Sequence, residues 1–387
     1  TGALLNHRFL CHALNSPQLR RQADQVARGV AQKTVTLGSI RNFRIPLPPL
    51  PEQRRIVERI DILFAEIAEG EAALDDARQG LETFRRALLK AAVTGELTRN
   101  WRENNKPAET GHDLIARGLA APEGKGGLGR RGKREATRQK LETSDLSDLP
   151  EGWVWARLGE MLSAGPTNGY SPKASRDGSG TLSLKLTATT AGHIDLSDRA
   201  VKTLSEHIEL DSDLYLSSGD LLFQRGNTIE YVGISAIFEG PAKTFIYPDL
   251  MIRVRTSDAK LTEWVWRVAN SPLGRRFMMD NATGTAGTMP KISGATIGSF
   301  PVPVPPPAEA IEILRRVSEA LSALSDTTAM LEAEAADAAR LRQSILKAAF
   351  EGKLTEQDPD DEPATALLAG IRTLNPSIAR TRRQRQK

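Results

Sequence analysis

The chain has 387 residues, 40% hydrophobic and 26% charged, with a net charge of +4. Those proportions exclude a wholly disordered or fibrous chain, the length predicts two or three domains, and the small positive excess gives only a slight pointer to an anionic partner such as nucleic acid. A single cysteine excludes a disulfide framework and a cysteine zinc site, and fits a reducing, cytoplasmic setting. No apolar run approaches about 18 residues, so no membrane span is expected. The opening TGALLNHRFL has no initiator Met and no charged region leading into an apolar one, so it does not read as a signal peptide.

The first predicted element is a helix over Asn6–Asn15. FRIPLPPLPEQ (Phe43–Gln53) then leads into a long helix, Glu52–Ala92, with Pro51 and Glu52 as start signals and Gly95 as its stop. Ile56, Ile60, Leu63, Ile67, Gly70, Leu74, Ala77, Leu81, Phe84 and Leu88 follow alternating steps of four and three, a heptad seam over residues 51–98. Residues 99–148, rich in Gly, Arg and Lys from 121 onward, read as a basic flexible linker. Short β-like runs follow at Thr181–Leu186, Leu221–Phe223, Tyr231–Phe238 and Met251–Val254, separated by Gly, Asn and Asp, with a helix over Leu261–Met278. Together, residues 149–306 predict a mixed α/β domain opened by LPEGWVWARLGEM, with Trp153 and Trp155 as core anchors. A second long helix, Glu309–Ala349, occupies residues 307–355 and stops at Gly352; residues 356–387 form a tail, basic and disordered at its end, ARTRRQRQK.

These elements contain an internal repeat. FRIPLPPLPEQ matches FPVPVPPPAEA (Phe300–Ala310), and LKAAVTGELT (Leu89–Thr98) matches LKAAFEGKLT (Leu346–Thr355). One offset, 257 residues, relates Pro46 to Pro303 and Lys90 to Lys347, so both copies of the helix have the same length. NSPQLRR (Asn15–Arg21) matches NSPLGRR (Asn270–Arg276) at an offset of 255. Two equal seams entered from proline-rich turns predict helices packed against each other.

Catalytic motifs are weak. GLGRRGKR (Gly127–Arg134) has P-loop glycines but ends in Arg, and a charged linker precedes it where a strand is required. No strand leads into G-x-G-x-x-G, the histidines show no H-E-x-x-H, and Cys11 reads as a small core residue. The chain is expected to catalyse nothing and to hold no metal or cofactor.

The order and spacing of LPPLPEQRRIVERID, LLKAAVTGELT, LPEGWVWARLGE, GDLLFQRGNT (Gly219–Thr228) and GTAGTMPKISGATIGSFPVPVPP (Gly284–Pro306) resemble the specificity subunit of type I restriction–modification enzymes. The resemblance implies an α+β fold of target-recognition domains separated by two long antiparallel coiled-coil helices related by a pseudo-two-fold. It implies recognition of a split sequence in double-stranded DNA, a spacer set by helix length, and no chemistry of its own. Methyltransferase (modification) subunits and restriction/translocase subunits would be its partners, with S-adenosylmethionine, ATP and Mg2+ used by them. Residues 1–50 would then be the end of a first recognition domain, about a hundred residues of which would lie before residue 1. Leu4, Leu5, Phe9 and Leu10 are therefore expected to lack cover.

Residues 149–302 hold 15 Lys and Arg against 16 Asp and Glu, so DNA affinity must come from basic residues gathered on one face. Gln224, Arg225, Asn227 and Thr228 leave an apolar strand at a Gly-Asn turn, and their side chains are the types that pair with adenine and guanine edges. Lys291 and Thr285 lie in a Gly/Thr-rich stretch where backbone N–H groups can approach phosphate. Lys173, Arg176 and Lys185 flank a polar loop and are further candidates. Two other readings fit parts of the chain: a coiled-coil interaction protein, which leaves Gln224–Thr228 unexplained, and a DNA-binding module without methyltransferase partners.

Overall fold

The computed structural model describes residues 5–29, 33–120, 146–175, 178–256, 258–284 and 289–374. The helices are α1 (His7–Asn15), α2 (Pro17–Val26), α3 (Leu37–Ile40), α4 (Leu50–Val93), α5 (Arg99–Asn104), α6 (Gly111–Ala120), α7 (Ala259–Ala269), α8 (Pro272–Asp280), α9 (Gly294–Ser299), α10 (Pro307–Phe350) and α11 (Ala364–Leu374). The strands are β1 (Val154–Arg157), β2 (Leu162–Asn168), β3 (Leu182–Leu184), β4 (Val201–Thr203), β5 (Leu221–Gln224), β6 (Ser235–Ile237), β7 (Phe245–Ile246), β8 (Met251–Thr256) and β9 (Pro301–Val304). One unit comprises Thr1–Leu81 with Ser325–Lys387, the other Glu82–Leu324.

The repeat is expressed in local geometry. Helices α4 and α10 are 44 residues each. Each ends at a glycine in the left-handed region, Gly95 at φ +73° and Gly352 at φ +70°, where a side chain would strain the backbone. Ser16 and Ser271 start α2 and α8 in the same way: each hydroxyl donates to the carbonyl three residues back at 2.7 Å and accepts the N–H three residues on at 3.4 Å.

In the first unit, Ile56, Val57, Ile60 and Ile67 of α4 pack with Ile345, Leu346, Ala349 and Phe350 of α10. The start of one helix thus meets the end of the other, and they run antiparallel. Arg342 reaches Glu71 across this pair at 2.7 Å. Phe9, expected to lack cover, is only 1% exposed, its ring 5.2 Å from that of Phe350; Leu4 lies outside the described residues. Cys11, read as a core residue, is exposed. Within the tail, Asp361 pairs with Arg55 at 2.6 Å, and α11 follows. Residues 375–387 lie outside the described residues.

The second unit holds the mixed α/β domain. Leu89, Ala92 and Val93 of α4 join Ala310, Ile313, Leu314 and Val317 of α10 in one core with Trp153, Trp264 and Phe300. The two helices are antiparallel here as well. Strands run β2-β8-β5-β6 in a four-stranded antiparallel sheet, β4-β3-β7 in a mixed sheet, and β1-β9 as an antiparallel pair. Trp155 is half-buried, donating to the Ser147 carbonyl.

Two expectations are corrected. The predicted linker 99–148 contains α5 and α6, and the Gly111 N–H bonds the Gly152 carbonyl at 2.8 Å; residues 121–145 lie outside the described residues. The predicted seam of α4 also breaks, with Phe84 52% exposed. A helix with 3.6 residues per turn drifts about 20° per heptad from a 3.5-residue seam unless it supercoils, so burial concentrates toward the helix ends.

Glu309 in the first turn of α10 is fully buried. Its carboxylate accepts from Thr98 Oγ1 at 2.6 Å, from Arg102 at 2.7 Å and from Trp153 Nε1 at 2.9 Å. Replacing it by Ala strands buried Thr98 and Trp153 and half-buried Arg102, so Glu309→Ala should lower unfolding free energy by about 3–5 kcal/mol, measured by denaturant titration. Its counterpart at the 257 offset, Glu52, is also buried. Burial pushes the Glu52 carboxyl above its usual range, opposed by Arg55 and reinforced by Asp361. A raised folded-state pKa means the proton is held more tightly in the fold, so stability is lost as pH rises from 4.5 through the folded value. Glu52→Gln should therefore unfold at higher temperature than wild type at pH 7, with the difference vanishing below pH 4.

Candidate nucleic-acid interface

The candidate interface starts at the C-terminal end of β5. Leu221, Leu222, Phe223 and Gln224 are all buried, because β5 is paired on both edges and packed on both faces. Gln224, predicted to project outward, instead points inward. Its amide nitrogen, Nε2, donates to Thr189 Oγ1 at 3.0 Å, Thr190 Oγ1 at 3.2 Å and the Leu186 carbonyl at 3.2 Å. Its Oε1 accepts from Asn227 Nδ2 at 2.7 Å. Gln224 is therefore a bracket that holds the turn, not a base reader.

Arg225 is the first residue to leave the sheet. Its backbone is clamped on both sides, N–H to the Leu250 carbonyl at 2.7 Å and carbonyl to the Ile292 N–H at 2.8 Å. Its guanidinium touches only the Asp249 carbonyl, at 3.4 Å, with no carboxylate in salt-bridge reach among the described residues. Asn227 Oδ1 caps the Thr228 N–H at 2.8 Å. Thr228 is exposed, and its bond to Glu230 is the main reason that carboxyl is held below its usual range.

A second segment lies against this turn. Gly226 and Lys291 form an antiparallel bridge, the Asn227 N–H bonds the Pro290 carbonyl at 3.3 Å, and Lys291 is exposed. The Asp249 N–H in turn donates to Ser171 Oγ at 3.1 Å, which brings the Lys173 segment to the same rim. The structure thus gathers Arg225, Asn227, Thr228, Lys291 and Lys173. Lys185 stands apart, its ammonium bound to the carbonyls of Asp198 and Arg199 at 3.4 and 2.9 Å. Arg176 and Thr285 lie outside the described residues.

Sequence reasoning missed the apolar members of this rim. Tyr170, Ile229, Tyr231 and Met289 are 41, 40, 41 and 46% exposed. Large apolar side chains interleaved with Arg and Lys on loops are the signal that could have found them, since they can meet thymine methyls or unstacked bases. Among the described residues no cluster of three or more His, Cys, Asp or Glu could hold a metal ion, and no helix is long and apolar enough to cross a membrane.

Comparison with known proteins agrees with this architecture. The family model for the type I restriction modification DNA specificity domain matches residues 4–74. The type I restriction enzyme EcoKI specificity subunit of Escherichia coli K12 is 32% identical over 375 residues, covering 94% of this chain and 71% of that protein. The chain belongs to the type I restriction enzyme specificity subunits. The EcoDI specificity subunit of Escherichia coli is 28% identical, covering 89% of this chain and 72% of that one. A solved chain from work on complex assembly and conformational transition of the type I R-M system superposes with TM-score 0.61 at 20% identity, over 91% of this chain and 73% of the other. That likeness shows the fold: a mixed α/β domain with two long helices.

The two neighbouring positions separate scaffold from surface. Gln224→Ala should lower stability by about 1–3 kcal/mol, because Asn227 and the two threonines lose buried partners. Arg225→Ala should leave the thermal midpoint within a degree or two of wild type. Differential scanning calorimetry of both variants checks the contrast.

Proposed function

We propose that this chain is the DNA-reading subunit of a type I restriction–modification complex. Its domain at residues 149–306 reads one part of a split target in duplex DNA, and chemistry is left to methyltransferase and restriction/translocase partners that use S-adenosylmethionine, ATP and Mg2+. The observation that carries the site assignment is the clamped Arg225 turn bridged to exposed Lys291. Bidentate base readout needs a guanidinium delivered from a fixed backbone, and both backbone groups of Arg225 are bonded. Lys291 and Lys173 suit phosphate contact, which positions a duplex without reading it. Asn227 holds the turn through Gln224 while its remaining surface faces the same rim.

The test is selection from randomised duplexes followed by affinity measurement at several salt concentrations. Arg225→Ala should lose about 1–3 kcal/mol against the selected sequence and relax preference at one base pair. Lys291→Ala should weaken all sequences alike and reduce the slope of log K against log salt by about 0.9. Equal binding of every duplex by wild type and Arg225→Ala would reject the assignment.

A further inference from the structure

Within the Glu82–Leu324 unit a cavity of about 220 Å³ opens between the last turns of α4 and the α7–α8 corner. Four arginines line it: Arg85 and Arg86 from α4, Arg267 from α7 and Arg275 from α8. Among the described residues two carboxylates come near them, Glu82 at 4.0 Å from Arg85 and Glu263 at 3.8 Å from Arg267. Arg275 is bound to two carbonyls, those of Val232 at 2.8 Å and Glu230 at 2.9 Å. Among the described residues neither it nor Arg86 has a carboxylate in salt-bridge reach. The local charge is therefore about two units positive, held partly out of water.

The arginines are arranged with donors to spare. Arg267 lies 4.1 Å over the Trp266 ring, which fixes its plane, and its Nε is buried with no acceptor. A buried, unbonded N–H on a cation is costly unless a ligand supplies the acceptor. Burial lowers the Arg275 pKa to about 10 with no compensating charge. Burial also lowers that of Arg267, opposed by Glu263 and reinforced by a smaller push from Arg85. Two guanidinium groups that repel each other across a cavity would be drawn together by an anion between them.

We propose that this cavity is a phosphate site. Guanidinium groups approach it from two sides, from α4 and from α7–α8. A tetrahedral oxyanion accepts from several directions, whereas a carboxylate accepts in one plane. Thr190 on its wall already accepts from Gln224 at 3.2 Å, leaving its O–H to donate. That bond also joins the cavity to the reading rim, through Thr190, Gln224 and Asn227. The phosphate has two sources: a backbone phosphate of the duplex read at Arg225, a source that rests on the proposed DNA reading, or free phosphate.

The test uses the full chain and the double variant Arg85→Gln/Arg86→Gln, both exposed residues of the cavity wall, with Arg86→Gln alone as the milder substitution. Arg315→Gln, an exposed arginine outside the cavity, is the charge control. In the first arm, affinity for the selected duplex and for a scrambled one is measured against salt. A backbone phosphate predicts that the double variant loses about one unit of log K–log salt slope on both duplexes, with their affinity ratio unchanged and the control unaffected. In the second arm, thermal midpoints are compared in sodium phosphate and in sodium chloride at equal ionic strength. Free phosphate predicts a higher midpoint in phosphate for wild type and none for the double variant. An unchanged slope together with no phosphate-specific midpoint shift overturns the site. If wild type binds no duplex, the DNA-reading function fails, and the second arm alone decides the cavity.

Discussion

The buried carboxylate of Glu309 is the constraint on which the Glu82–Leu324 unit depends. A charged group with no exposure is tolerable only when its lone pairs are filled, and three side chains supply the donors. Thr98 precedes α5 and Arg102 lies within it, just after α4, and Trp153 leads into β1. The position of Glu309 in the first turn of α10 adds the favourable field of the helix N-terminus. The end of one long helix, the start of the other and the entry to the α/β domain are thereby fixed to one point. Hydrophobic packing of Leu89, Val93 and Ile313 fills the space around it, but only the carboxylate specifies direction, because hydrogen bonds have geometry and apolar contact has little.

The same sequence position in the other copy solves the problem differently. Glu52 sits in the first turn of α4, buried like Glu309, yet its carboxyl is pushed up by that burial with Arg55 only partly opposing. The neighbouring Gln53 does the joining there, accepting the Asn6 N–H at 2.9 Å and donating to the Pro48 carbonyl at 3.0 Å. At the 257 offset Gln53 corresponds to Ala310, so the linking role has moved by one residue between copies. The helix lengths, the glycine stops and the serine caps have not moved. Features that define helix boundaries are local and survive divergence of the surroundings, whereas a tertiary bracket depends on whatever packs beside it.

That distinction accounts for what could be read in advance. The long helices were legible to within three residues at each end, because proline entries, glycine exits and a 3.5-residue pattern are written in adjacent positions. The short helix at His7–Asn15 was legible for the same reason, with Asn6 accepting from the Arg8 and Phe9 N–H groups. Gln224 was misread, since no local pattern reveals that β5 is flanked on both edges and covered on both faces. Strands of three or four residues are too short to show a period. The arginine cavity was invisible, because Arg85 and Arg267 are 182 positions apart and each alone looks like a solvated helix residue. Residues 99–120 look like linker in their composition, because the partner of Arg102 is Glu309, more than two hundred residues away.

Base recognition, the role proposed for this rim, requires rigidity at one spot and adaptability around it, and the rim has both. A flexible guanidinium stem loses rotamer freedom when it binds, an ordering term that weakens association. At Arg225 the backbone contribution to that term is already met by bonds to Leu250 and Ile292, and the preceding Gln224 is held by four hydrogen bonds in the protein interior. Immediately outside this clamped point, exposed Ile229, Tyr231 and Met289 have no comparable anchoring of their side chains at the surface. Substitutions there change the shape presented to a ligand without disturbing β5. A scaffold of this kind can acquire new targets by altering rim side chains while the inward-facing bracket, and with it the position of the sheet edge, is retained.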